Sequence, residues 1–166
     1  MKLDLRRIAA QPGQTLPFHF ALDLSGLEWN GTRPAPWPIE VEGAVRNRAG
    51  ALVLQAELKG RLSLVCDRCA QPFTREKTVD YETLAALELE DGDQDEIVLA
   101  DRDGQLDLEK LMGEVFVLHL DTKNLCSPDC KGLCPGCGAD LNQAPCRCKK
   151  EVDPRLANLA QLLEED

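Results

Sequence analysis

Apolar and polar residues alternate along much of the first half of the chain, the two-residue period of strands buried on one face. This pattern predicts extended segments at Lys2–Ile8 and Leu16–Leu24, separated by a turn at Gln11-Pro12-Gly13-Gln14. Gly31–Pro38 holds three prolines and reads as a loop, because proline cannot donate to a β-ladder. Ile39, Val41 and Val45 then share one face. The chain turns near Asn47–Gly50, and Leu52, Leu54, Ala56 and Leu58 resume the pattern as the second arm of a β-hairpin. Lys59-Gly60 reads as a further turn before Leu62, Leu64 and the pair Cys66-Asp67-Arg68-Cys69. Alternation from Phe73 to Leu89 predicts one more strand, which places that cysteine pair at a turn between strands.

The period changes further on. Asp91–Asp103 reads as an acidic loop flanking a short strand, Ile97–Leu99. Asp107 is suited to cap a helix whose apolar face is Leu108, Leu111, Met112 and Val115. Val115–Leu120 is so uniformly apolar that helix and buried strand both remain open. Residues 121–150 have no hydrophobic period, only cysteines set among glycines and prolines, and such a stretch needs a staple in place of a core. Asp153-Pro154 then supplies an N-cap and a first-turn proline for a short helix with Leu156, Leu159, Ala160 and Leu163 on one face. The fold expected is α+β: an antiparallel β-sheet or partial barrel, one central and one C-terminal helix, and a Cys-rich zinc-ribbon-like module. Residues 1–120 are expected to form the β-rich main domain, with an acidic loop at about 88–106, and residues 121–166 the zinc-stapled module.

Composition sharpens this in two respects. Hydrophobic residues at 43% and charged residues at 29% are globular values. The N-terminus has no apolar signal core and no run approaches about 18 apolar residues, so a soluble, cytoplasmic chain is expected. In that reducing compartment eight cysteines read as metal ligands rather than disulfides. A net charge of −10 excludes a whole-surface grip on nucleic acid, since phosphate contacts need Lys and Arg. The charges segregate, however: ten acids face Arg102 alone between Glu88 and Glu109, whereas eight bases face five acids between Arg33 and Lys77. Solvated surface accounts for most such runs, and a local basic face is the sharper reading.

The cysteine spacings are Cys66-x2-Cys69, Cys126-x3-Cys130, Cys134-x2-Cys137 and Cys146-x-Cys148. Four pairs suit two tetrahedral four-thiolate sites, and Leu133-Cys134-Pro135-Gly136-Cys137-Gly138 resembles the tight turns of zinc ribbons. Proximity in sequence joins Cys134 and Cys137 to Cys146 and Cys148. That leaves Cys66 and Cys69 with Cys126 and Cys130, although Cys130 and Cys134 are near enough to exchange partners. The competing readings are two buried small hydrophobes at Cys66 and Cys69, a redox Cys-x-x-Cys, and an iron–sulfur set on Cys130-x3-Cys134-x2-Cys137. No catalytic constellation accompanies them, and His19 and His119 read as ordinary core or surface residues.

Several blocks together resemble the YceD family of large ribosomal RNA accumulation proteins. They are Cys66-Asp67-Arg68-Cys69 with Gln71-Pro72-Phe73, the Asp107-Leu108 helix start with Glu114, the run from Cys126 through Cys130-Lys131-Gly132-Leu133-Cys134 to Asp140-Leu141-Asn142, and Asp153-Pro154-Arg155-Leu156. The chain departs from the family pattern at Leu120-Asp121, where Leu-Pro is expected. The resemblance implies a non-enzymatic factor supporting accumulation of large-subunit ribosomal RNA and ribosome biogenesis. Its partners would be ribosomal RNA, a pre-ribosomal particle, a ribosomal protein or an assembly factor, with no membrane and no small-molecule substrate. Two zinc ions are expected on the eight cysteines. The candidate RNA-facing residues are Arg46, Arg48, Lys59, Arg61, Arg68, Arg75 and Lys77 around the sheet and its turn, and Lys131, Arg147, Lys149 and Lys150 in the C-terminal module. The alternatives are an adaptor whose acidic Glu88–Glu109 segment holds a basic ribosomal protein, and a redox or iron–sulfur protein.

Overall fold

The computed structural model describes residues 1–88 and 97–148. The chain divides into two compact units: Met1–Leu64 with Pro72–Asn124, and Val65–Gln71 with the described residues from Leu125 onward.

The first unit is α+β, built on a curled five-stranded sheet of order β2-β3-β4-β5-β6. Its strands are β2 (Thr15–Leu22), β3 (Ile39–Arg48), β4 (Ala51–Val65), β5 (Pro72–Ala86) and β6 (Ile97–Leu99). A separate two-stranded ladder pairs β1 (Lys2–Asp4) with β7 (Gln105–Asp107). Inward positions of β3 and β4 are the apolar set of the alternation: Ile39, Val41, Val45, Leu54, Leu58 and Leu62 are all buried. Outward neighbours such as Glu40, Glu42 and Lys59 are exposed. The β3–β4 hairpin turns at the expected place, with Arg48 opposite Ala51.

Three details depart from the sequence pattern, and the structure decides one that the pattern leaves open. The extended run foreseen for Lys2–Ile8 breaks after Asp4, whose carboxylate accepts the Arg6 N–H at 3.0 Å, and the helical turn α1 (Arg6–Ala9) follows. Lys59-Gly60 is not a turn, because β4 runs straight through it. A Cβ on Gly60 would stand 3.0 Å from Ile39 Cγ1 and 3.3 Å from Phe116 Cζ, so the glycine makes room for core packing inside the strand. The edge strand β6 runs parallel to β5, pairing Leu84 with Ile97, where an antiparallel sheet is expected from the sequence. Val115–Leu118 continues the helix α2 (Leu108–Leu118), capped by Asp107, whose side chain accepts the Lys110 N–H at 3.2 Å. Met112, Val115 and Phe116 bury the apolar face of α2 in the core.

The curl of the sheet has a local cause. Phe18, Gly43 and Ala56 are cross-strand partners on β2, β3 and β4. A Cβ on Gly43 would come 2.6 Å from Phe18 Cζ and 2.3 Å from the Gln55 carbonyl oxygen. The missing side chain lets the buried phenyl ring lie over the backbone. The helix expected from Asp153-Pro154, with Leu156 to Leu163, and most of the acidic loop lie outside the described residues. No described helix is long and apolar enough to cross a membrane.

Candidate metal centres

The second unit contains two chain turns of the same construction. In the first, the Ala70 N–H donates to the Cys66 carbonyl at 2.8 Å and the Cys66 N–H to the Gln71 carbonyl at 3.0 Å. In the second, the Gly138 N–H donates to the Cys134 carbonyl at 2.9 Å and the Cys134 N–H to the Ala139 carbonyl at 2.8 Å. Each turn brings its residue after the second cysteine into the left-handed region, Ala70 at φ 56° and Gly138 at φ 71°. Both turns present two sulfurs on one side, as Cys-x2-Cys spacing allows.

Around these turns the eight sulfurs gather into two groups of four: Cys66, Cys69, Cys126 and Cys130, and Cys134, Cys137, Cys146 and Cys148. Within each group every ligand atom lies within 4.8 Å of every other. Thiolates at about 2.3 Å from a shared centre stand about 3.8 Å apart in a tetrahedron. Cys66 and Cys130 are 3.8 Å apart and Cys69 and Cys126 3.7 Å, while Cys134 and Cys146 draw closer, to 3.2 Å. All eight are free thiols. The first group is the more enclosed, with Cys66, Cys69 and Cys130 buried, whereas only Cys134 is buried in the second.

Electrostatics within each group favours a cation. The Cys126 backbone N–H, followed by those of Cys69 and Arg68, draws the Cys66 thiol down to about 6 against the burial that opposes it. The Cys146 thiol, then the backbone N–H groups of Cys137 and Gly136, lower Cys134 to about 6. Cys126 and Cys148 move the other way: desolvation and the thiols of Cys66 and Cys69 push Cys126 up to about 12, and Cys137, Cys146 and Cys134 do the same to Cys148. Four thiolates this close repel one another unless a divalent ion neutralises them. A soft, all-sulfur, tetrahedral donor set can therefore hold one metal ion per group.

The iron–sulfur spacing is split by the fold, because Cys130 belongs to the first group and Cys134 and Cys137 to the second. Among the candidate RNA-facing bases, several already have partners inside the protein. Lys59 pairs with Glu57, and Arg75 and Lys77 lie 3.5 Å and 3.1 Å from Asp121. Arg61 stacks over the Trp37 ring at 5.1 Å. Arg68 donates from Nη1 to the Cys130 carbonyl at 2.8 Å, while its own carbonyl accepts the Leu133 N–H at 2.9 Å. Arg46, Arg48, Lys131 and Arg147 are exposed, and Lys149 and Lys150 lie outside the described residues. Sequence reasoning placed Asp140 and Asn142 in the cysteine module but gave them no role beside the sulfurs, although both stand in the block that carries the family resemblance. Asp140 accepts from the Asn142 N–H at 2.9 Å and from its Nδ2 at 2.7 Å.

Comparison with known proteins gives a consistent picture. The family model described as "Large ribosomal RNA subunit accumulation protein YceD" matches residues 54–163. A Mycobacterium tuberculosis protein named only as uncharacterised is 25% identical over 98% of this chain and 81% of its own length. The Bacillus subtilis protein YlbN is also 25% identical, over 100% of this chain and 98% of its own. A maize protein named large ribosomal RNA subunit accumulation protein YCED homolog 1, chloroplastic, is 29% identical over 77% of this chain and 55% of its own length. No solved structure matches the chain significantly.

Proposed function

The chain belongs to the YceD family of large ribosomal RNA subunit accumulation proteins, and from that premise we propose that it is a non-enzymatic factor of ribosome biogenesis. It acts in the cytoplasm by binding the pre-ribosomal particle, and two structural zinc ions shape its second unit. The observation that carries the role is the family match across residues 54–163, which includes all eight cysteines. Zinc is favoured by the all-thiolate donor set, since such closed four-sulfur sites suit a structural ion with no open coordination position. The histidines support a binding role. His19 lies on the exposed sheet face 3.3 Å from Glu40, and His119 Nδ1 is 2.8 Å from the Val115 carbonyl of its own helix.

RNA contact is assigned to the exposed Arg46 and Arg48 of the sheet and to Lys131 and Arg147 of the cysteine unit, through phosphates rather than base edges. A protein partner is a second reading, supported by one observation. A groove of about 700 Å³ on the sheet is lined by Glu42, Glu57, Asp80 and Glu82, with His19 and Arg46 beside them, and Glu42 and Glu57 stand directly opposite on β3 and β4. Glu57 is paired with Lys59, and a basic segment of a ribosomal protein laid across the groove would meet the remaining carboxylates of Glu42, Asp80 and Glu82.

Depletion of the protein tests the role. Large-subunit ribosomal RNA is expected to fall relative to small-subunit RNA, and tagged protein to co-sediment with large-subunit precursors. Unchanged RNA ratios and sedimentation free of particles would contradict it. Crosslinks to large-subunit RNA that weaken with salt select the RNA reading, whereas a complex with a basic ribosomal protein that persists after RNase treatment selects the protein reading.

A further inference from the structure

We propose that Asn142 couples the two four-cysteine centres: carried by the loop of the second, it hydrogen-bonds a sulfur of the first, so that filling the second centre strengthens the first. The inference rests on the reading of both groups as metal sites. The loop between Cys137 and Cys146 belongs to the second group by its ends. From its middle, Asn142 Nδ2 donates to Cys130 Sγ at 3.4 Å, across to the first group.

The orientation of this amide is fixed from both sides. Its oxygen accepts the Lys131 N–H at 2.8 Å, and Nδ2 also donates to Asp140 Oδ1 at 2.7 Å. A flipped amide would set its oxygen against a carboxylate and its nitrogen against an N–H, losing all of these contacts. Asp140 is itself held by the loop, accepting from Gln143 Nε2 at 3.2 Å and bridging to Leu133, while the Leu141 N–H donates to the Gly132 carbonyl at 2.9 Å. Asn142 is thus aimed by a loop whose two ends meet in the second centre.

Cys130 is the natural receiver. It is buried, its carbonyl accepts from Arg68, and its sulfur accepts from Asn142. A hydrogen bond to a metal-bound thiolate disperses its charge and fixes its direction, and loss of such a supporting contact typically costs about 10–100-fold in metal affinity. When the second centre is empty, the ends of its loop are released and Asn142 loses its aim. The first centre is then expected to bind more weakly by a similar factor, and the linkage is reciprocal.

The test compares Asn142→Ala and Asn142→Asp with the unmodified full-length protein, in zinc-competition titrations and in the ¹¹³Cd NMR spectrum of cadmium-loaded protein. Asn142→Ala removes the donor without adding charge, whereas Asn142→Asp keeps an oxygen for the Lys131 N–H but sets a carboxylate beside Asp140 Oδ1, so the pair of variants separates loss of the donor from added charge. The expected result is that both variants lower the affinity of the first centre about tenfold or more, and that Asn142→Asp shifts the resonance of that centre more than the other. A Cys137→Ser/Cys148→Ser variant should weaken the first centre comparably, and adding Asn142→Ala to it should change little more. First-centre affinity unaltered by Asn142→Ala, or a loss at the first centre just as large when Asn142→Ala is added to the Cys137→Ser/Cys148→Ser variant, would overturn the coupling. Unmodified protein that binds no metal would instead overturn the metal reading and the coupling with it.

Discussion

Ala70 and Gly138 occupy equivalent places in the two cysteine turns, and they differ in cost. A left-handed φ of 56° crowds the Ala70 methyl against its own backbone, a strain of about 1–2 kcal/mol that glycine does not feel. Glycine returns about 0.5–1 kcal/mol of this through its larger entropy loss on folding. Ala70→Gly is therefore expected to stabilise the unit by about 0.5–1 kcal/mol, and Ala70→Val to destabilise it, both measured by denaturation of the metal-loaded protein. Asp4 is a second residue whose chemistry is set locally. The Arg6 guanidinium that donates to both its oxygens holds its carboxyl below the ordinary 3.8. A carboxyl depressed on folding contributes stability above its unfolded value and loses that contribution as pH falls through the folded one. An NMR titration should place the Asp4 midpoint below 3.8, and Arg6→Ala should move it back toward that value.

Among the elements, the β3–β4 hairpin shows how a polar residue can hold apolar layers in register. Asn47 is the buried polar residue among the described residues of the first unit, at 2% exposure. Its Nδ2 donates to the carbonyls of Ile8 and Ala9 at 2.8 and 3.0 Å, and its Oδ1 accepts the Gly50 N–H at 2.8 Å. It thereby closes the turn and caps α1 at once. Asn47→Ala leaves those groups without partners, and a loss of about 2–3 kcal/mol is expected in urea unfolding. Gly43→Ala should cost at least as much by the same measurement, because the clash it creates is with the Gln55 carbonyl and the Phe18 ring rather than with a flexible chain end. The alternation that made this hairpin legible is a direct image of burial, so Ile39 to Leu58 could be read from residues alone. Gly60 misled because a glycine signals a turn by its freedom, whereas here it serves by its size. The parallel placement of β6 left no trace in the sequence, since a three-residue strand carries the same pattern in either direction.

Across the whole molecule, the two cysteine groups are the ones expected from sequence, although spacing alone left Cys130 and Cys134 free to exchange partners. Cys66 and Cys126 are separated by 60 positions in the sequence, and only folding brings them into one group. Asp140 and Asn142 were visible as residues, yet their contacts depend on Cys130 and Lys131 folding back beside the loop, which no local pattern announces. The basic residues are unequally placed: Lys59 and Lys77 are engaged by Glu57 and Asp121, while Arg46 and Arg48 stand exposed on the sheet. Among its described residues the cysteine unit has few apolar side chains to bury, so its stability is expected to come from metal. The most direct test is native mass spectrometry with elemental analysis of the purified, reduced protein. Two zinc ions per chain are expected, displaced together with the fold of the second unit when pH falls or a strong chelator is added. A metal-free chain whose cysteine unit remains folded, or iron in place of zinc, would contradict the account.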